Sequence, residues 1–196
     1  MDKLVKIESR RLEDILPNAG LEESVAAAIG RDLPVATVIE QLATDGRPVD
    51  AIKLLAHALP KRESVWWACT CCRALDREAR TPLDRDAIAA AEAWVYEPTE
   101  AHARAAYAEA DKRGFLTAGG WAAVGAFWSS GSLAPEGQPA VPPADYLTGV
   151  AVSGAILLAA VAEPVAQTEA RYEAYLRYGR DIAAGGTARN EKGEPS

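Results

Sequence analysis

Three cysteines lie within four positions of one segment, and they are the residues whose type and spacing most suggest chemistry. Cys69 and Cys72 are three residues apart and would share one face of a helix, as two metal ligands could. A zinc site needs four ligands, or three and a water, and the chain's two histidines, His57 and His102, each stand alone in another segment. The pattern therefore predicts no metal site and no cofactor, and it favours structural cysteines that are buried as small hydrophobic residues.

A thiol enzyme that uses Cys69 or Cys72 is the alternative. A nucleophilic cysteine needs a lowered pKa and access to solvent, which a buried helix with neighbouring tryptophans does not offer. Neither histidine has a cysteine or serine partner suggested by spacing. We therefore expect a protein that is not an enzyme. Fast alkylation of the folded protein would favour the thiol enzyme, and labelling that depends on denaturation would exclude it.

The cysteines lie in the segment 60–79, PKRESVWWACTCCRALDREA, which is predicted to be the central helix of a core. At 100° per residue, its apolar side chains leave no polar face at the centre, which is typical of a buried helix. We expect its two tryptophans to be largely buried and to organise the core with two of the cysteines and three other tryptophans: Trp66, Trp67, Cys69, Cys72, Trp94, Trp121 and Trp128. Tryptophans that line a ligand pocket are the alternative.

The rest of the chain also reads as helices. Caps at Thr81, Thr99 and Thr117 and breaks at Pro98 and Pro164 separate apolar stripes of helical period. His57 falls on the predicted wet side of its helix, with Asp50 and Lys53. The prediction is an all-α, single-domain bundle of about eight or nine mostly antiparallel helices over residues 21–184, with a Pro/Gly-rich loop at 129–144 and a disordered tail at 185–196.

Composition and charge narrow the function classes. The chain has 196 residues, enough for one well-buried domain, and a net charge of −7, which argues against nucleic acid or an anionic membrane as a partner. Residues 146–162 lack charges but are shorter than the roughly 20 residues of a membrane span, so a buried core helix is the expectation. The N-terminus lacks the apolar stretch of a signal peptide, which together with the odd number of cysteines indicates a cytoplasmic protein.

Two segments are candidates for binding a protein partner. In residues 1–20, an N-terminal arm and turn, Val5 and Ile7 alternate with charged residues, and this period of two predicts a short extended arm. The arm and the loop at 129–144 combine apolar residues with free backbone groups, so Val5, Ile7, Leu133 and Val141 are predicted to contact the partner. The alternative is an arm that packs on its own domain.

Several runs of residues resemble a known family. AIKLLAHALPKRESVWWACTCCRA, AAAEAWVYEPTEAHARAAYAEA, GGWAAVGAFWSSGSLAPEG and VPPADYLTGVAVSGAILLAAV together resemble a bacterial family of unknown function whose genes often lie in type VI secretion clusters. The resemblance covers about residues 47–184, and its most specific parts are the WWAC and FWSSGSLAP runs. It brings no catalytic motif.

The resemblance implies a setting beside secretion components. We expect a non-catalytic accessory protein of a type VI secretion system that binds an effector, adaptor or spike component as an adaptor or co-chaperone. An immunity protein against a toxin is the alternative, and the oligomeric state stays open.

Overall fold

The computed structural model describes residues 3–75, 82–112, 115–190 and 193–195. This part of the chain contains ten α-helices and no strands. The helices are α1 Leu12–Ile15, α2 Glu23–Ala28, α3 Val35–Thr44, α4 Pro48–Ala58, α5 Lys61–Ala74, α6 Pro82–Tyr96, α7 Glu100–Asp111, α8 Ala118–Ser130, α9 Leu147–Ala160 and α10 Thr168–Ala184. The predicted all-α bundle is confirmed.

The helix ends follow the local signals of the sequence. The Thr99 hydroxyl accepts the backbone N–H of His102 at the start of α7, and the Thr117 hydroxyl accepts that of Gly120 at the start of α8. Helix α4 begins at Pro48, whose missing N–H costs nothing in a first turn. The cap predicted at Thr81 lies outside the described residues.

Helix α5 is the centre of the bundle and contacts α6, α8, α9 and α10. Trp67 is fully buried, and its indole Nε1 donates to the carbonyl oxygen of Tyr175 in α10 at 2.7 Å. Helix α10 comes this close because it has a glycine there: a Cβ on Gly179 would lie 2.7 Å from Trp67 Cε2. Trp66 differs from the prediction, since it is only partly buried. Trp66 precedes Trp67 in the helix, so its side chain points 100° away from that of Trp67, toward the surface.

The N-terminal arm was predicted to be extended, but it is helical. A 3₁₀ turn covers Val5–Ile7 and α1 follows it. Ile7, Leu12, Ile15 and Leu16 are buried in the core. The spacing of Leu4 and Ile7 explains the error, because three residues make one 3₁₀ turn and place both aliphatic side chains against the bundle.

The start of the tail is ordered and packs on the bundle, contrary to the predicted disorder. Gly185 ends α10 in the left-handed conformation, with φ 108°. The Asp181 carboxylate then accepts the backbone N–H of Ala188 at 2.7 Å, and Ala188 is buried. Residues 191, 192 and 196 lie outside the described part of the chain.

The charge-free segment forms α9 in the core. Ala151, Ala155 and Ala159 are fully buried, and α9 packs closely against α8. No single helix among the described residues is both long and apolar enough to span a membrane, although α9 and α10 together meet the length and composition criteria across a bend of 116°.

Candidate functional site

Five aromatic side chains line an open groove between α7, α8 and the loop that follows α8. The groove has a volume of about 560 Å³, within the range of ligand and peptide pockets. We call it the aromatic groove and define it by Tyr107, Phe115, Trp121, Phe127 and Trp128, with Leu133 at its edge.

The rings of the aromatic groove pack on one another. The Tyr107 ring lies 4.6 Å from that of Phe127 and 5.7 Å from that of Phe115, between ring centroids. Trp121 and Trp128 meet edge to face at 6.2 Å. Such pairs stabilise one another, so the groove presents rigid walls.

Phe115 reaches the groove through an unusual backbone conformation. Its φ is +62°, in the left-handed region that residues with a Cβ rarely adopt. The conformation costs about 1–2 kcal/mol. Strained residues of this kind often lie at functional sites, and here the strained backbone turns the ring toward Tyr107.

Two polar side chains at the groove, Arg104 and Ser132, are paired within the chain. Arg104, the only charged residue among the described groove-lining residues, donates to Glu100 Oε1 at 2.7 Å and to the carbonyl oxygen of Ala134 at 3.1 Å. The Ser132 hydroxyl accepts the backbone N–H groups of Ala134 and Val141. The groove therefore offers apolar surface to a ligand.

The apolar surface continues from the groove onto α9. Trp121 lies over Gly154, whose Cβ would be in ordinary contact with the indole ring at 3.8 Å. Val150 and Leu158 are each four residues from Gly154 on the same side of α9, and both are exposed, as is Val161. We call the aromatic groove together with Val150, Leu158 and Val161 the apolar face. Continuous exposed patches of this kind often mark interaction sites.

The structure brings together two of the four residues predicted to bind a partner. Leu133 lines the groove, and its backbone N–H donates to the carbonyl oxygen of Val141 at 2.9 Å. Val5 is exposed at the N-terminal turn. Ile7 is 1% exposed and cannot contact a partner from this position, because the 3₁₀ turn points it into the core.

The residues predicted to organise the core divide into two groups. Trp67, Trp94, Cys69 and Cys72 are buried, whereas Trp66, Trp121 and Trp128 are only partly buried and expose ring surface. Three groove residues, Tyr107, Phe115 and Phe127, were not among the predicted site residues. Tyr107 could have been predicted, because it is the one large apolar side chain of an alanine-rich helix. No sequence pattern indicated the left-handed backbone of Phe115.

The cysteine thiols lie in an environment opposite to that of an activated nucleophile. Burial raises the pKa of the Cys69 and Cys71 thiols well above their usual range, and Cys72 is buried beside them. Among the described residues, no group of three or more His, Cys, Asp or Glu side chains is placed to hold a metal ion.

His57 was predicted to lie on the solvent-exposed side of its helix, but it does not. Its ring packs against α9, where a Cβ on Gly149 would lie 2.5 Å from the imidazole, and burial lowers its pKa to about 4. Asp50 is buried too, with its carboxylate accepting a hydrogen bond from Arg47 Nε at 2.8 Å. The amphipathic pattern failed here because α4 is covered on a second side by α9.

Comparison with known families gives one match. The model of a family of unknown function, DUF6931, matches residues 38–183, from α3 to the end of α10. No curated protein and no solved structure matches the chain.

Proposed function

Because the chain belongs to the DUF6931 family of unknown function, we propose its role from its own surfaces: it is a non-catalytic protein that binds an apolar segment of a partner protein on the apolar face. The observation that carries this proposal is the exposed apolar surface of the aromatic groove and α9, which meet where Trp121 lies over Gly154. Among the described residues that line the groove, the one charged side chain is already paired.

The shape and chemistry of the apolar face favour a protein segment over a small molecule. A small ligand is usually enclosed in a concave pocket, whereas this surface leaves the groove and continues over a convex helix. Rigid tryptophan, tyrosine and phenylalanine rings are the side chains that anchor protein interfaces. Because Arg104 and Ser132 are occupied by the chain itself, the segment that fits is apolar rather than charged.

The proposed setting is type VI secretion, with an effector, adaptor or spike component as the partner. It is supported by the resemblance in the WWAC and FWSSGSLAP runs. The second run is residues 127–135, and it supplies Phe127, Trp128 and Leu133 to the groove. The residues that carry the resemblance are therefore also part of the proposed binding surface.

A capture experiment with matched variants tests the proposal. The tagged full chain is used to capture partners from the native host, as wild type and as Leu133→Glu, Leu158→Glu and Val5→Glu. All three positions are exposed, so each variant should keep its fold, checked by circular dichroism and thermal midpoint. We expect Leu133→Glu and Leu158→Glu to lose a captured protein that Val5→Glu retains. Capture that persists in both face variants, or that only Val5→Glu removes, would refute the apolar face as the binding surface.

Two further readouts separate other occupants. A concentration-dependent dimer in size-exclusion chromatography that Leu158→Glu dissolves would assign the face to a second copy instead. If the captured protein is a toxin, co-expression distinguishes an adaptor, which leaves toxicity intact, from an immunity protein, which abolishes it.

A further inference from the structure

Trp66 forms part of a second surface site, on the side of α5 that faces α6. Its ring meets that of Tyr96 edge to face at 5.9 Å. The guanidinium of Arg189 lies over the Trp66 ring at 4.0 Å from the centroid, and Arg189 Nη2 donates to Glu92 Oε1 at 2.7 Å. One arginine side chain is thus held by an aromatic face and a carboxylate together.

This arrangement is specific to arginine. A planar guanidinium can stack on an indole while its N–H groups donate to a carboxylate, whereas the compact ammonium of lysine does not match both at once. The Glu92 carboxylate is held in place independently of the tail, because Arg73 of α5 donates to both of its oxygens, at 3.3 and 2.7 Å. Helices α5 and α6 therefore supply the side chains of the receptor half, although the Trp66 indole also donates to the carbonyl oxygen of Thr187 in the tail at 2.9 Å.

The occupant, in contrast, fits incompletely. The Nε of Arg189 is buried without a hydrogen-bond partner, and Ala188 before it has a φ of +53°. A buried donor without an acceptor and a left-handed residue with a Cβ both weaken the hold of the segment. Trp66, Arg73 and Glu92 lie within the residues matched by the family model, and Arg189 lies beyond them.

We propose that Trp66, Tyr96 and Glu92 form a binding site for an arginine side chain of a partner protein, and that Arg189 is a built-in competitor that covers this site in the free chain. Trp66 and Tyr96 also line a groove of about 590 Å³, together with Lys6, Arg62 and Glu63, which leaves room for residues that flank the incoming arginine. This site shares no residue with the apolar face and goes beyond the function proposed there.

The test empties the site in the full-length protein with Arg189→Ala and adds N-acetyl-arginine amide as the probe. The readout is the NMR signal of the Trp66 indole N–H, identified by its absence in Trp66→Phe. We expect a saturable shift in Arg189→Ala, and in the wild type a requirement for at least about 10-fold more probe, because the tethered Arg189 competes at a high effective concentration. N-acetyl-lysine amide, the matched control, should give no saturable shift.

Two more variants make the outcome decisive. Glu92→Gln combined with Arg189→Ala should abolish the shift, since the carboxylate is lost. Arg189→Lys keeps the positive charge and should bind the probe between wild type and Arg189→Ala, which provides the test if Arg189→Ala does not fold. No saturable shift in the folded variants, or equal binding of the lysine probe, would overturn the proposal.

Discussion

Two neighbouring tryptophans of α5 illustrate how much one step along a helix decides. Trp67 points into the bundle, where it is fully buried and hydrogen-bonded to Tyr175. Trp66 points outward, where its indole Nε1 donates to the carbonyl oxygen of Thr187 at 2.9 Å and its ring lies under Arg189. The same residue type packs in the core at one position and makes surface contacts at the next.

The two tryptophans should therefore differ in their contribution to stability. Trp67→Ala leaves a cavity between α5 and α10 and should lower the free energy of unfolding by about 3–5 kcal/mol. Trp66→Ala removes one hydrogen bond, the ring contact with Tyr96 and the cation–π contact with Arg189, all at the surface, and should cost less, about 1–3 kcal/mol. Denaturant unfolding of both variants measures the difference, and equal losses would contradict the division of roles.

His57 should make stability depend on pH. Its folded-state pKa of about 4 lies below the unfolded value of 6.5, so between these values the unfolded chain binds a proton that the folded chain does not. Stability linked to His57 is therefore complete above pH 6.5 and falls as the pH drops toward 4. The stability difference between wild type and His57→Gln, measured by urea unfolding, should change across this window. His102→Gln is the control, and a difference that is constant with pH would disprove the burial of His57.

At the scale of elements, close contact between helices rests on small residues. Gly125 of α8 brings Val152 of α9 near, since a Cβ on Gly125 would lie 3.3 Å from Val152 Cγ2. On α9 itself, Gly149 faces the His57 ring and Gly154 faces Trp121 with more room. Alanine is the better helix former, so packing alone decides whether each glycine is required.

Gly149 and Gly154 provide a matched pair of substitutions on α9. Gly149→Ala places a methyl group 2.5 Å from the imidazole and should lower the thermal midpoint. Gly154→Ala meets nothing closer than 3.8 Å and should stabilise the protein by about 0.5–1 kcal/mol through helix propensity. Thermal unfolding checks both, and stabilisation by Gly149→Ala would show that α4 and α9 are farther apart than described.

In the whole molecule, the described segments before α2 and after α10 pack on the helical core. The N-terminal turns add Ile7, Leu12, Ile15 and Leu16 to the core, and Arg10 Nε donates to the carbonyl oxygen of Ala58 at 2.9 Å. The C-terminal segment covers Trp66. The N-terminal segment therefore contributes to folding, which makes a separate recognition role for the whole arm a weaker expectation than the apolar face.

Removing residues 1–16 should lower the thermal midpoint, because buried aliphatic side chains are lost from the core. A point variant isolates the effect: Ile7→Ala should cost about 2–4 kcal/mol, within the usual range for a buried isoleucine. Val5→Ala, two residues away and half exposed, should change stability by less than about 0.5 kcal/mol. An unchanged melting temperature after deletion of residues 1–16 would restore the arm as a free recognition element.

The fold class and the position of the central helix could be predicted from the sequence. Helical spacing, threonine caps and proline breaks act over a few residues, so the boundaries of α4, α7 and α8 can be read locally. The burial of Cys69 and Trp67 followed from a segment with no polar face. The loop predicted at 129–144 is observed after the end of α8 at Ser130, and the contact of Leu133 with a partner stays a prediction.

Which large side chains stay at the surface depends on how the helices pack, which the sequence pattern does not show. Trp66, Trp121 and Trp128 have the hydrophobicity of core residues, but exposure depends on which neighbouring helix covers each side, and no local pattern contains that information. The same reason explains His57, whose position in α4 predicts exposure to solvent although α9 covers its ring. Both the aromatic groove and the arginine site join residues far apart in the chain, such as Trp66 with Arg189, so they exist only once the helices have packed.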